Sequence, residues 1–276
     1  MTRGRLFLAG PDFLLRTSDA RRFRGILLLP ALPTRVQLVI PCYNEALRLD
    51  TSTFVRFVTA RRDVGLLFVD DGSTDSTAQV LKELAEKCAG RVDTVLLPKN
   101  RGKAHAVQRG MVAAIDGQPE LVGYWDADLA TPLDAIDEFI RLLDTHPDID
   151  IVMGSRVKLL GRRINRHAHR HYAGRVFATA ASLALGLDVY DTQCGAKIFR
   201  VTPEIRRVFA SPFVSKWVFD VEILARYANV VGTERAASSI YELPLTTWTD
   251  VPGSKVKMRH AMRALWDIAR IWRGGA

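Results

Sequence analysis

From Val36 onward the chain alternates short β-branched runs with amphipathic stretches, and this rhythm constrains its fold more than any other feature. Repeated strand and helix units bury both element types by building a mostly parallel sheet with helices on its faces. The predicted strands are VQLVIP (36–41), GLLFVDD (65–71), VDTVLL (92–97), LVGYWD (121–126) and DIDIVMG (148–154). Helices are expected at about Ala46–Ala60, Thr74–Cys88, Gly102–Ile115 and Pro132–Thr145. Each polar cluster falls at a strand's C-terminal end, where open α/β sheets bind ligands. After Gly154 the rhythm changes to a basic segment, a long Ala-rich helix ending at Leu185, and a strand at AKIFRV. A helix around Trp217–Tyr227 and a strand near SIYELPL follow. These read as the second half of one domain spanning about residues 36–250, whose first half is about 36–130. Residues 1–35 read as an irregular extension and 251–276 as a basic amphipathic helix.

The 276 residues suffice for one large core, and no apolar run reaches the roughly 17–25 residues that a spanning helix needs. The N-terminal stretch lacks a clean small-residue cleavage site, so no secretory signal is expected. Three cysteines, Cys42, Cys88 and Cys194, are an odd number without metal-finger spacing, which suits a reducing, cytosolic setting. The formal charge of +9 favours an anionic partner: nucleic acid, phosphorylated metabolite or acidic membrane surface. The basic excess is regional, concentrated in Arg156–Arg175 and Lys255–Arg273.

Asp126 and Asp128 stand one residue apart at the end of a buried strand. Like charges that close raise each other's pKa unless a positive group sits between them, and hard oxygen ligands suit a divalent cation. Strand alternation is expected to aim both carboxylates the same way. The alternative is a pair of ordinary turn residues. In VIPCYNEALRL, Pro41 ends the strand and exposes Tyr43, Asn44 and Glu45, an aromatic and an acid placed to stack on and hydrogen-bond a base; alternatively Asn44 caps the next helix and Tyr43 packs locally. Asp70 and Asp71 suit an imide proton or a ribose hydroxyl, or else serve the Gly72 turn. Lys99, Arg101 and Lys103 surround Gly102 at a predicted helix N-terminus, which welcomes phosphate oxygens, although the spacing is not that of a P-loop.

Further along, DTQCGAKIFR and WVFDVEIL offer Asp191, Gln193, Cys194, Asp220 and Glu222. Asp220 and Glu222 lie two apart on a helix, so at most one faces a site. No base is placed beside Cys194, which reads as a buried structural thiol. In the C-terminal stretch, Met258, Met262, Leu265, Trp266 and Trp272 recur at helical spacing among Lys and Arg. That pattern suits either a helix packed on the domain or one lying on anionic lipid.

Taken together, VDDGSTDST, DAD, DTQCGAKIF, WVFDVEIL and WTDVPGSK, in that order, resemble the family 2 glycosyltransferases of GT-A fold, and more narrowly the dolichyl-phosphate (polyprenyl-phosphate) β-glucosyltransferases. The resemblance covers about Val36–Trp272. It implies a single Rossmann-like domain and an inverting, metal-dependent transfer of glucose from UDP-glucose to a polyprenyl phosphate. Pro41, Tyr43, Glu45, Asp70 and Asp71 would then surround base and ribose, and Lys103 and Asp126 would serve the donor diphosphate. Asp126 and Asp128 would hold Mg²⁺ or Mn²⁺. Asp128, Arg156, Asp191, Gln193 and Asp220 would form the catalytic wall, and Arg156, Trp248, Ser254 and Lys255 the acceptor side, with Arg162, Arg163 and His167 as further cations. The related mannosyl enzymes usually carry Arg where this chain has Thr249, which leans toward glucose over GDP-mannose or another donor.

A phosphate acceptor is a dianion near neutral pH and needs no base. A hydroxyl acceptor needs one, and Asp220 or Asp191 is then the nominee. The expected location is peripheral, on the cytoplasmic face of a membrane. Intact Asp126 and Asp128 argue against a non-catalytic binding protein, and no aromatic-basic alternation of an RNA-binding sheet is present, so no nucleic-acid partner is expected.

Overall fold

The computed structural model describes residues 34–165 and 168–251, with the backbone alone for residues 168–174 and 176. The extension up to residue 33 and, apart from Val251, the helix expected over residues 251–276, with Ser254 and Lys255, lie outside the described residues, as does His167. β1 (Val36–Cys42), β2 (Val64–Asp70), β3 (Val92–Leu96), β4 (Leu121–Trp125) and β5 (Ile151–Ser155) form close to where the apolar runs predict them. Continuous runs demand cover on both faces, and β2 and β4 are buried at every position.

β1 pairs in parallel with β2 on one side and β4 on the other, and β2 pairs in parallel with β3. Two later strands, β7 (Ala196–Arg200) and β8 (Ile240–Pro244), complete a seven-stranded sheet of order β3-β2-β1-β4-β7-β5-β8. β7 runs antiparallel to both β4 and β5, whereas β8 is parallel to β5. Two reversals cancel, so β4 and β5 point the same way. The C-terminal ends of β1 to β5 and β8 therefore share one edge with the entry into β7. A small parallel pair, β6 (Arg163–Asn165) with β9 (Thr247–Thr249), stands apart from the main sheet.

Helices start later than the sequence predicts. α1 spans Thr51–Ala60, because Asp50 accepts from the Thr53 backbone N–H at 3.1 Å and from the Ser52 and Thr53 hydroxyls, both at 2.6 Å. These bonds hold the Asp50 carboxyl down at about 2. Its folded value lies below the unfolded one, so its stabilising contribution is present above the ordinary carboxylate range and is lost as pH falls toward 2. Asp50→Ala is expected to cost about 1 kcal/mol, read as a fall of roughly 2–4 °C in Tm at neutral pH that vanishes on acidification. α2 spans Thr77–Lys87, since Asn44 Oδ1 takes the Thr74 N–H at 2.9 Å and Asp75 takes that of Thr77 at 2.9 Å.

α3 (Lys103–Asp116) packs on the sheet through Gly110, where a Cβ would lie 2.3 Å from Val39 Cγ1. Only glycine lets the helix approach that closely. A short 3₁₀ turn, Leu133–Ala135, separates Pro132 from α4 (Ile136–Thr145). α5 (Ala168–Leu185) and α7 (Phe219–Val231) match the predicted pattern. α6 (Pro203–Ala210) and α8 (Thr233–Ser239) were not predicted, although Thr202 caps α6 at Ile205 N (3.2 Å) and Pro203 occupies its first turn, both legible start signals. Apolar clusters fill both faces, one under α3, α6 and α7 and the other under α1, α2 and α4. No described helix is long and apolar enough to cross a membrane.

Candidate active site

Among the described residues, the clusters around Tyr43, Asp70, Lys103, Asp126 and Arg156 follow strands that end on that shared edge, and Asp191–Gly195 lead into β7 there. After β1 the chain turns sharply at Asn44, which has φ 53. Its Oδ1 accepts from Thr74 N and its backbone N–H donates to Ser73 Oγ at 2.9 Å, so Asn44 ties the loop after β1 to the loop after β2 rather than capping its own helix. Glu45 is held by Arg48 at 3.0 and 2.6 Å. Pro41 sits opposite Val69 near the end of β1, half-buried, with Tyr43 just beyond it.

Asp70 and Asp71 divide their work. Asp70 accepts from the Ser73 N–H (3.1 Å) and hydroxyl and so serves its own turn, the plainer of the two readings that the sequence left open. Asp71 crosses to the start of α3, accepting from Arg101 N at 3.1 Å and Gly102 N at 2.7 Å. Desolvation pushes its carboxyl up, and those two N–H bonds pull it back. Asp71 thereby fixes the loop that presents Lys103. Burial, with help from Arg101, lowers the pKa of neighbouring His105, keeping it neutral near pH 7.

The strand ends at Trp125, so Asp126 and Asp128 are not aligned by strand alternation, contrary to the expectation above. A turn brings them together instead. Asp126 N bonds Gly195 O at 2.9 Å, Leu129 N bonds Asp126 O at 3.2 Å with φ 54 at Leu129, and Asp128 Oδ1 accepts from Ala130 N at 3.1 Å. Desolvation and the nearby Asp126 charge push the Asp128 carboxyl up. Lys103 Nζ pairs with Asp126 Oδ1. Desolvation opposes the ammonium, but Asp126 and Asp220 outweigh it and raise its pKa.

The fit of a divalent cation here rests on Gly195. A Cβ at that position would lie 1.9 Å from Asp126 Oδ2 and 2.5 Å from Oδ1, so the missing side chain is the cradle in which the carboxylate sits. Two hard oxygen donors that repel each other suit Mg²⁺ or Mn²⁺, which commonly take one or two carboxylates and complete their shell with water and substrate phosphate. Among the described residues no group of three His, Cys, Asp or Glu forms a closed cage. Gly195→Ala is expected to rotate Asp126 away and weaken Mn²⁺ binding by about tenfold or more, since tenfold corresponds to only about 1.4 kcal/mol. Calorimetric titration with MnCl₂ checks this, with Gly117→Ala as a remote control.

Opposite this pair stands a second wall. Arg156, just beyond β5, bonds Asp191 through Nε and a terminal nitrogen, both at 2.7 Å, and through its backbone N–H at 3.0 Å. Desolvation works against the guanidinium, but Asp191 prevails and raises its pKa further. A guanidinium has five N–H donors, so three remain for another anion. Trp248, expected on the acceptor side, is buried and lies beneath Arg156 at 5.3 Å, supporting it rather than facing outward. Glu242 accepts from the backbone N–H groups of Tyr190 and Asp191, both at 2.7 Å, and Gln193 keeps a buried Nε2 without a partner.

Of the Asp220 and Glu222 pair, only Asp220 faces the site. Glu222 is fully buried and holds Val214 N, Ser215 N and Arg226. Asp220 is bound by Lys197 Nζ at 2.6 Å and by the Tyr124 hydroxyl, under the β4 end that carries Asp126. Burial raises the Cys194 pKa, so its thiol stays protonated, as the sequence reading held. The sequence reading missed Tyr124, Gly195, Lys197 and Glu242. Lys197 left a legible signal: a lone lysine in the apolar strand AKIFR requires a buried partner.

A sheet edge that joins a carboxylate pair, a lysine at a helix N-terminus and an arginine wall suits an enzyme that handles phosphorylated substrates, and the chain's likeness to known proteins gives its class as a glycosyltransferase of GT-A fold. The chain belongs to glycosyl transferase family 2, whose family model matches residues 37–206. It is 32% identical over 246 residues to a dolichyl-phosphate beta-glucosyltransferase of Trichomonas vaginalis, covering 84% of this chain and 69% of that protein. It is 30% identical over 244 residues to the dolichyl-phosphate beta-glucosyltransferase of Homo sapiens, covering 81% of this chain and 70% of that one. Glucosyl-3-phosphoglycerate synthase from Mycobacterium tuberculosis, solved in complex with Mn²⁺, UDP and glucosyl-3-phosphoglycerate, superposes with a TM-score of 0.61 over 88% of this chain and 80% of that chain. At 18% identity that is a likeness of fold.

Proposed function

We propose that the protein transfers glucose from UDP-glucose to a polyprenyl phosphate of dolichyl type, with inversion at the anomeric carbon and with Mg²⁺ or Mn²⁺ on Asp126 and Asp128. The dolichyl-phosphate glucosyltransferases among its relatives support the acceptor and the sugar. The synthase of similar fold solved with Mn²⁺ and UDP-glucose supports the donor and the metal. One observation carries the choice of a phosphate over a hydroxyl acceptor: both nominated bases are already committed, Asp191 to Arg156 and Asp220 to Lys197 and Tyr124. A phosphate needs cations and no base, and this wall offers that combination.

In this reading the N-terminus of α3 and Lys103 receive the donor diphosphate, Asp71 having fixed their loop. The bound dication would neutralise charge on the departing UDP. Arg156, oriented by Asp191 and supported by Trp248, directs its remaining N–H groups to the lipid phosphate and offsets repulsion between the two anions. A phosphate oxygen attacks the anomeric carbon as the bond to the diphosphate oxygen breaks, and the bonding pair leaves with UDP. The catalytic domain then works beside a membrane as a peripheral protein.

The test incubates purified protein with radiolabelled UDP-glucose or GDP-mannose, Mg²⁺ or Mn²⁺, and short polyprenyl phosphates. Organic-extractable label from UDP-glucose is expected. Label extracted only with GDP-mannose would reassign the donor, and none with any donor would remove the proposal. Arg156→Ala is expected to raise KM for the lipid phosphate and lower kcat/KM by about a hundredfold, since charge-assisted bonds to one guanidinium contribute roughly 1.5–3 kcal/mol.

A further inference from the structure

The turn between β5 and β6 presents two leucines that the fold leaves in water. Leu160 is fully exposed and Leu159 is 49% exposed. They form the tip of a hydrogen-bonded turn in which Arg162 N donates to Leu159 O at 3.1 Å and Gly161 takes φ 81, the pattern of a type II turn. Leu160 is its outer corner. The turn is anchored on both sides, upstream by Arg156 on Asp191 and downstream by β6 on β9, where Arg163 N bonds Thr246 O at 2.9 Å and the Arg162 guanidinium bonds the Thr246 hydroxyl. A held turn cannot fold its leucines back onto the core.

The surroundings say what would cover them. Within residues 158–163, KLLGRR, the leucines are flanked by Lys158, Arg162 and Arg163, with no acidic residue among them, and Lys158 and Arg163 are exposed. An apolar tip ringed by cations matches the boundary between anionic headgroups and acyl chains.

We propose that residues 158–163 are a membrane-docking turn that inserts Leu159 and Leu160 into an anionic bilayer while Lys158 and Arg163 meet lipid phosphates. The turn begins two residues after Arg156, so docking sets the arginine wall against the bilayer. That last step rests on the lipid-phosphate reading above; the docking itself does not.

The experiment uses the full chain with vesicles of phosphatidylcholine, with and without phosphatidylserine, free of polyprenyl phosphate. The parent is expected to co-sediment with the anionic vesicles. Leu159→Ser/Leu160→Ser is expected to lower the partition coefficient by about tenfold or more, and Lys158→Glu/Arg163→Glu to abolish the preference for phosphatidylserine. Both variants should keep the parent's circular dichroism, and the leucine variant should keep its turnover of a short, water-soluble prenyl phosphate. An environment-sensitive dye on Leu160→Cys in a Cys88→Ser background should shift to the blue on vesicles and be quenched by acyl-chain bromines. An unchanged partition coefficient, or a dye that stays in water on vesicle-bound protein, overturns the proposal. Insertion without transfer to any acceptor would instead remove the lipid-phosphate reading and leave the docking turn standing.

Discussion

Asp126→Ala/Asp128→Ala is expected to abolish joint uptake of Mn²⁺ and nucleotide sugar and to lower transfer by about a thousandfold or more. Metal stabilisation of a departing phosphate contributes several kcal/mol, and each 1.36 kcal/mol is a factor of about ten. The geometry adds a second reason. Lys103 Nζ is paired with Asp126, so the double variant also removes the carboxylate that positions the ammonium proposed to meet the diphosphate. Calorimetry with MnCl₂ and UDP-glucose measures the first effect and single-turnover transfer the second. Parent-like manganese uptake by the double variant would remove the metal from this pair and the proposed mechanism with it. Neither carboxylate is part of the core, and Asp128 is exposed, so the variant should melt within a few degrees of the parent.

The second large effect belongs to Lys197. Its ammonium is fully buried and bonds Asp220 at 2.6 Å and Cys194 O, and Asp220 in turn takes the Tyr124 hydroxyl. Breaking a buried ion pair from one side strands the other charge, typically at about 3–5 kcal/mol. Lys197→Met is therefore expected to lower Tm by roughly 10 °C or more. A second change, Asp220→Leu, should restore most of the loss by removing the stranded carboxylate, because an apolar pair often replaces a buried ion pair at little cost. Thermal unfolding of both variants checks this, and a Lys197→Met protein that melts like the parent would refute it.

The same pair discriminates between mechanisms. Asp220→Asn weakens the network, but under conditions where the variant is folded its kcat should keep the parent's pH profile, since Asp220 is proposed to position β4 and β7 rather than to take a proton. Loss of an acidic limb from that profile would restore Asp220 as the base of a hydroxyl-acceptor enzyme.

The sequence by itself determined the seven strands of the main sheet, their order along the chain and the residues at their ends, but not the short pair β6 and β9. Those signals are local: a continuous apolar run needs cover on both faces, and a polar residue at its end has an open edge to face. Asp126, Asp128 and Lys103 were legible on that ground and Arg156 through the family resemblance, and the rule that helical neighbours two apart cannot share a face left at most one of Asp220 and Glu222 for the site. Only the tertiary structure decided what those residues touch. Parallel and antiparallel strands of this kind read alike in sequence, so the reversal of β7, which brings Asp191, Gln193 and Gly195 to the carboxylate pair, could not be read from it. Nor could the commitments of Asp71 to the α3 loop, Glu45 to Arg48, Asp191 to Arg156 and Asp220 to Lys197. A carboxylate's role depends on which cation or N–H reaches it, and except for Glu45 these partners come from segments 23–35 positions away. Folding, rather than neighbourhood in the chain, supplies them.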